Sequence, residues 1–247
     1  MEIQATRNSG VLNAKSTVAF ETLYLDLREK EQRVYSDDQL TLLPLINPKH
    51  QHYKEWKIRK YAADQLVAYL NRKYKPLSIL EIGCGNGWLA AKMAQIDGVN
   101  VAGIDINTIE LTQAKRVFKQ KNLAFYLADF ESGYFGHTKF DIIVFAASIQ
   151  YFKSLHQIIT TAKQSLNKNG EIHILATNFY TPATIENARE RTASYFETLG
   201  CTMMKNYYFH HLWEDLNAFK YKILYNPTRF FNKILNSSPF YWICIRS

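Results

Sequence analysis

The period of the apolar positions along this chain changes at Pro76. Before it they recur at helical intervals: Phe20, Leu23, Leu27 and Val34, with charges between them, predict a helix over Thr17–Val34. Ser36 with Gln39 three residues on has the form of a capping box, so a second short helix is predicted to run until Pro44 stops it. A third, Tyr53–Arg72, places Ile58, Ala62, Leu66 and Tyr69 on one face and Trp56, Arg59 and Ala63 on another. Residues 1–75 are therefore expected to form an N-terminal helical cap behind a loosely held polar lead, 1–16. After Pro76, short apolar runs alternate with helical stretches, which implies a parallel sheet with crossover helices. Strands are predicted at Leu77–Ile82, Val99–Ile104, Ala124–Leu127, Phe140–Phe145 and Glu171–Thr177. The helices between and after them fall at Leu89–Ile96, Asn107–Lys121, Phe152–Leu166 and Thr181–Leu199. Thr202–Phe209 and Phe240–Ile245 read as the last two strands. Between them Leu212–Ser238, rich in aromatic and basic residues, reads first as a covering flap.

The chemistry concentrates at Ile79–Trp88, I-L-E-I-G-C-G-N-G-W, where a buried-strand run breaks at Gly83, Gly85 and Gly87 before a helix. Glycines let the backbone turn sharply and approach a bound group. A dinucleotide fingerprint would be G-x-G-x-x-G/A, but the position three after Gly85 is Trp88, so the pattern here is G-x-G-x-G. Glu81, two residues before the first glycine, would repel a pyrophosphate and can accept hydrogen bonds from an ammonium group. Asp105 stands 22 residues after Gly83 at the end of the second predicted strand, close to the ~20 expected of an acid that takes ribose hydroxyls. It could equally cap the helix from Asn107.

At Glu81, Gly83, Gly85 and Gly87 the sequence resembles the class I S-adenosylmethionine-dependent methyltransferases, whose first motif reads E-x-G-x-G-x-G. The resemblance covers 76 to about 178 and implies an α/β fold: a Rossmann-like, doubly wound, seven-stranded sheet, mostly parallel with an antiparallel last strand. To this the chain adds the helical cap and the insertion 212–238, so 76–247 is expected to be the cofactor-binding domain. The resemblance further implies that Asp129, ending the third strand, lies beside the adenine with the backbone of Phe130. Cys84, Ile106 and Ala146 complete the expected cofactor site, and S-adenosylmethionine is the expected cofactor. The N-P-P-Y type sequence of methyltransferases acting on nucleobase or glutamine nitrogen is absent from Ala146–Tyr151, which lowers that substrate class. On the acceptor side the candidates are Tyr35, Trp56, Arg59, Gln150, Tyr151, His210 and His211; Ser148 is expected to face the same crevice. No residue is assigned as a base.

Charge and cysteines narrow the partners. The net +8 divides into +4 on residues 1–75, zero on 76–199 and +4 on 200–247. The excess lies on the flanks, where it reads first as solvated surface and next as a basic mouth for an anionic substrate or a membrane surface. Cys84, Cys201 and Cys244 lie far apart with no metal-ligand spacing, so neither a metal nor a disulfide is expected and the cytoplasm is the default location. The expected function is methyl transfer to a small-molecule acceptor through oxygen or nitrogen, first a hydroxylated metabolite, anionic or belonging to glycan or secondary metabolism, and next an anionic lipid. Nucleic acid and a membrane surface are disfavoured as partners, and methylation of lipid or nucleic acid is kept as an alternative function. Two other classes stay open, a dinucleotide oxidoreductase and a non-catalytic cofactor-binding subunit, and oligomeric state is not legible.

Overall fold

A computed structural model describes residues 14–230, 232 and 237–247. Most of the expected polar lead, and Phe231 and Lys233 of the aromatic and basic stretch, lie outside them. Helices α1 (Ala14–Lys30), α2 (Asp37–Leu42) and α3 (Tyr53–Asn71) lead into β1 (Leu77–Ile82), α4 (Trp88–Met93), β2 (Val99–Asp105), α5 (Thr108–Val117) and β3 (Leu123–Leu127). Then follow β4 (Phe140–Ala146), α6 (Leu155–Gln164), β5 (Leu166–Thr177), α7 (Pro182–Thr198), β6 (Tyr221–Tyr225) and β7 (Tyr241–Arg246). The sheet order is β3-β2-β1-β4-β5-β7-β6, with β7 antiparallel to both neighbours. Strand order reverses between β1 and β4, and a crevice opens there outside the carboxyl ends of the strands.

Alternation along β1 decides what faces what. Leu80 and Ile82 enter the core shared with α6, where Ile158 and Ile159 are fully buried. Ile79 enters the opposite core, shared with Leu66 and Leu70 of α3, Met93 of α4 and Leu111 of α5. Each such side chain stabilises the fold by about 1.5–3 kcal/mol on burial. Two residues on from Ile79, Glu81 must point to the same side, at the level where α3 and α4 leave a hollow. The part of the expected cap that α3 makes is thus a layer of the α/β body, while α2 packs on α5 and α1 lies at the crevice. The Ser36–Gln39 box caps α2 as predicted. Helix α1 ends at Lys30, so Val34 is not on its apolar face and is exposed.

Two late assignments are corrected. Thr202–Tyr207 is a run of 3₁₀ turns, not a strand. The sixth strand is β6, inside the stretch expected as a flap. That stretch also sends Leu216 and Phe219 into the core, so much of it is sheet and core packing.

Across β5 and β7, Glu171, His173 and Cys244 bring three ligand-type atoms together. Lys73 Nζ at 2.7 Å, Arg246 Nε at 3.3 Å and the Tyr69 hydroxyl at 2.8 Å already hold the Glu171 carboxylate. Trp242 Nε1 donates to His173 Nδ1 at 3.0 Å. This is a structural knot: burial opposes ionisation of Glu171, but His173, Lys73 and Tyr69 outweigh it and hold the carboxyl well below its usual range. Its contribution is therefore present above the ordinary carboxylate range and lost as pH falls through the lowered folded value. Glu171→Gln is expected to cost about 1–2 kcal/mol in urea unfolding, because Lys73 and Arg246 can still reach water. The difference from wild type should shrink as the pH is lowered; a constant difference would count against the ion-pair account.

Candidate active site

Gly83, Gly85 and Gly87 have φ of 72°, 51° and 76°, the left-handed region that side chains rarely adopt. They fold the chain back over the ends of β1 and β2, where Gly83 N and Cys84 N donate to Ile104 O at 2.9 and 3.1 Å. A Cβ on Gly83 would stand 2.5 Å from Ser148 Cβ, and one on Gly87 would stand 2.5 Å from Phe125 Cζ. Gly83 therefore serves close approach to the β4 loop, while Gly87 serves packing between α4 and β3.

Asp105 ties this turn down: Oδ2 accepts from Gly85 N at 2.7 Å and Oδ1 from Asn107 N at 2.9 Å. The cap of α5 is Asn107, whose side chain accepts from Glu110 N, so Asp105 is not spent on capping. Asp129 accepts from Glu131 N at 2.9 Å and caps a single 3₁₀ turn at Phe130–Ser132.

These groups line two adjoining hollows. The larger, ≈ 240 Å³, holds Asp105, Ile106, Asp129, Phe130, Ser148 and Tyr151, and is covered from α1 by Phe20 and Tyr24. The smaller, ≈ 110 Å³, holds Glu81, Cys84, Ala146 and Glu110 on the sheet side. Its far wall is Arg28, Arg33, Tyr35, Trp56 and Arg59. Tyr24, Gly83, Gly85 and Ala147 belong to both, so Glu81, Asp105 and Asp129 share one continuous crevice. Ala147 has φ 55°, backbone strain where the hollows meet.

Two carboxyl groups are conspicuous. Glu81 is 3 % exposed and its Oε2 has no hydrogen-bond partner; burial, then the Asp105 charge, pushes it well above the usual range. Glu110, below the glycine turn, is pushed up to about 7 by burial and by Asp105, against the pull of Arg28 and Arg59. Its Oε2 is likewise unpartnered. On the cap side Arg28 donates to Glu31 at 2.6 Å and to the Tyr151 hydroxyl at 3.2 Å, and lies 4.5 Å over the Tyr24 ring. Arg33 and Arg59 share Glu55, and Trp56 donates to the Tyr35 hydroxyl at 2.7 Å and packs edge-on against Trp88.

Three expected site residues point elsewhere. Gln150 is buried and paired with Ala147 O and the Thr177 hydroxyl. His211 bonds Ile149 O in the interior and His210 bonds the Thr192 hydroxyl; neither lines the crevice, because the strand expected to carry them there is a 3₁₀ turn. Sequence reasoning missed Phe20, Tyr24 and Arg28 of α1 and Glu110. The only local trace was that Tyr24 and Arg28 are one helical turn apart.

A parallel sheet with a glycine turn after β1, an acid after β2 and a second acid after β3, all opening on one crevice, defines a nucleoside-binding α/β protein. The chain belongs to the methyltransferase domain family, which matches residues 73–214 and whose members are S-adenosylmethionine-dependent. It is similar to the ubiquinone biosynthesis O-methyltransferase of Rickettsia akari (strain Hartford), 27% identical over 54% of this chain and 50% of that one. It is also similar to the malonyl-[acyl-carrier protein] O-methyltransferase of Acetivibrio thermocellus, 28% identical over 46% of this chain and 41% of that one. The matched stretch thus spans half or less of these relatives. In fold it resembles magnesium protoporphyrin IX methyltransferase from Synechocystis PCC 6803, solved with bound SAH, with TM-score 0.57, 15% identity and coverage of 92% and 100%.

Proposed function

We propose that this chain is an S-adenosylmethionine-dependent methyltransferase acting on a small-molecule acceptor through oxygen or nitrogen. The observation that carries the reading is the unpartnered, buried Glu81 Oε2 in the same crevice as Asp105 and Asp129. A buried carboxylate oxygen without a donor is costly, and the ammonium of a methionine moiety would supply the missing donor. Asp105 would take the ribose hydroxyls, Asp129 and the Phe130 backbone would lie beside the adenine, and Gly83 would let the chain close on the cofactor. Bound S-adenosylmethionine supplies a methyl group on a sulfonium, activated for in-line displacement. What the protein's own residues do is hold the acceptor in line and shut out water. Tyr24, at the junction of the hollows, and Trp56 with Arg59 on the far wall are placed for that. The named activities of the two curated relatives, both O-methyltransferases, favour an oxygen acceptor.

Calorimetric titration with S-adenosylmethionine tests the reading; well-folded protein giving no heat of binding would refute it. Glu81→Gln is expected to weaken binding about tenfold, the loss of one charge-assisted hydrogen bond. Glu110 gives a pH signature. Below about 7 it carries a proton that it must lose to face a cationic ligand, so affinity should rise several-fold from pH 6 to 8. In Glu110→Gln that rise should become shallower, the remainder belonging to Glu81, and an unchanged slope would remove Glu110 from the site.

A further inference from the structure

The wall of the smaller hollow that faces away from the cofactor site carries more positive charge than it neutralises. Arg28, Arg33 and Arg59 line it, and the carboxylates paired with them are Glu31 and Glu55. Three guanidinium groups thus share two carboxylates. The other acids of the hollow are weak counter-ions for this wall, since burial and then Asp105 raise Glu81 well above the usual carboxylate range and push Glu110 up to about 7. The excess is directional. Arg28 spends one nitrogen on Glu31 and one on the Tyr151 hydroxyl, while its Nε is shielded from solvent and has no acceptor. A desolvated guanidinium N–H without an acceptor asks for an anion. Arg28 reaches this place from α1, beside Tyr24, which belongs to both hollows, so an anion there would sit next to their junction.

We propose that the methyl acceptor is an organic anion, a carboxylate or phosphate on a compact body, held by Arg28 between α1 and α3. This rests on the cofactor reading above. The aromatic walls Tyr24, Tyr35 and Trp56 provide flat apolar surface for the body, and the hollow, ≈ 110 Å³ and shared with the cofactor end beside Glu81, calls for a compact one.

The cofactor has a carboxylate of its own, so the test is made on protein saturated with S-adenosylhomocysteine, where any place taken by that group is already filled. Titration with benzoate, phenyl phosphate and neutral benzamide is expected to show at least one anion binding ten times or more tighter than benzamide. Whichever anion binds tighter assigns the group as carboxylate or phosphate. In Arg28→Met the preference over benzamide should disappear with S-adenosylhomocysteine affinity within threefold of wild type, and Arg28→Lys should restore part of it. Normal S-adenosylhomocysteine binding with no preference for either anion would overturn the proposal, as would a preference that survives in Arg28→Met. So would an Arg28→Met variant in which only S-adenosylhomocysteine is weakened, since Arg28 would then serve the cofactor. The wild-type comparison of charged and neutral probes stands even if Arg28→Met fails to fold. Failure of S-adenosylhomocysteine itself to bind would overturn the cofactor reading instead, and with it the acceptor role; anion preference on the free protein would then mark only an anion site.

Discussion

Gly83→Ala is expected to lower S-adenosylhomocysteine affinity at least 100-fold and the melting temperature by roughly 5–10 °C. Two costs add. Gly83 has φ 72°, where an L side chain costs about 1–2 kcal/mol. Its new Cβ would also stand 2.5 Å from Ser148 Cβ, an overlap that cannot be relieved by turning a side chain. Ser148 is buried and its hydroxyl donates to Ile82 O at 2.6 Å, so the strain, about 1–3 kcal/mol, passes to the Ala147–Ser148 backbone. Ala147 lines both hollows and Ser148 the larger, so displacing that backbone would move the floor of the proposed cofactor site. Gly133→Ala is the control, because Gly133 also has positive φ, 73°, but its Cβ would meet nothing within 4 Å. Calorimetry and thermal melts on both variants check this; equal effects in the two would show that backbone strain alone is at work and that the close approach to Ser148 has no role in binding.

The contrast between these glycines shows what a sequence can and cannot announce. The turn after β1 was legible because its signals are local: glycines at a fixed spacing, a carboxylate two residues before them and another about twenty residues after. Asp105 stood out by its spacing from Gly83 at the end of an apolar run, while Asp129 came from the family resemblance as the acid that ends the third strand; the carboxyl ends of parallel strands share one edge. Arg28 and Glu110 were not legible. They become site residues only when α1 folds over the crevice and α5 brings its first turn under Gly85, contacts between positions far apart in the chain. Strand β6 was hidden for another reason: an edge strand with Lys222, Ile223 and Leu224 all exposed lacks the buried alternation that marks an inner one. The apolar stretch before it drew the assignment instead, although only Met204 within the 3₁₀ run Thr202–Tyr207 is buried. His210 and His211 fell with that assignment.

Asp105→Ala should weaken S-adenosylhomocysteine binding by about 100-fold, more than the loss of ribose contacts alone would explain. The carboxylate has two tasks on the same pair of oxygens. It accepts from Gly85 N and Asn107 N, fixing the glycine turn against the end of β2, and its remaining lone pairs face the larger hollow where a vicinal diol would lie. Truncation removes the diol's acceptors, and it also leaves Gly85 N–H without the partner that holds the turn closed. Hydrogen bonds to a charged group contribute about 1.5–3 kcal/mol, and tenfold in affinity corresponds to about 1.4 kcal/mol, so the combined loss reaches two decades. Asp129→Ala should lose only about tenfold, because Asp129 caps one 3₁₀ turn and holds no part of the glycine bend. Measured by calorimetry at one pH, the order of the two variants is the decisive quantity. If Asp129→Ala were the more damaging, the anchor of the site would lie at β3 and not at the junction of β1 and β2, and the division of labour between the two acids would have to be reversed.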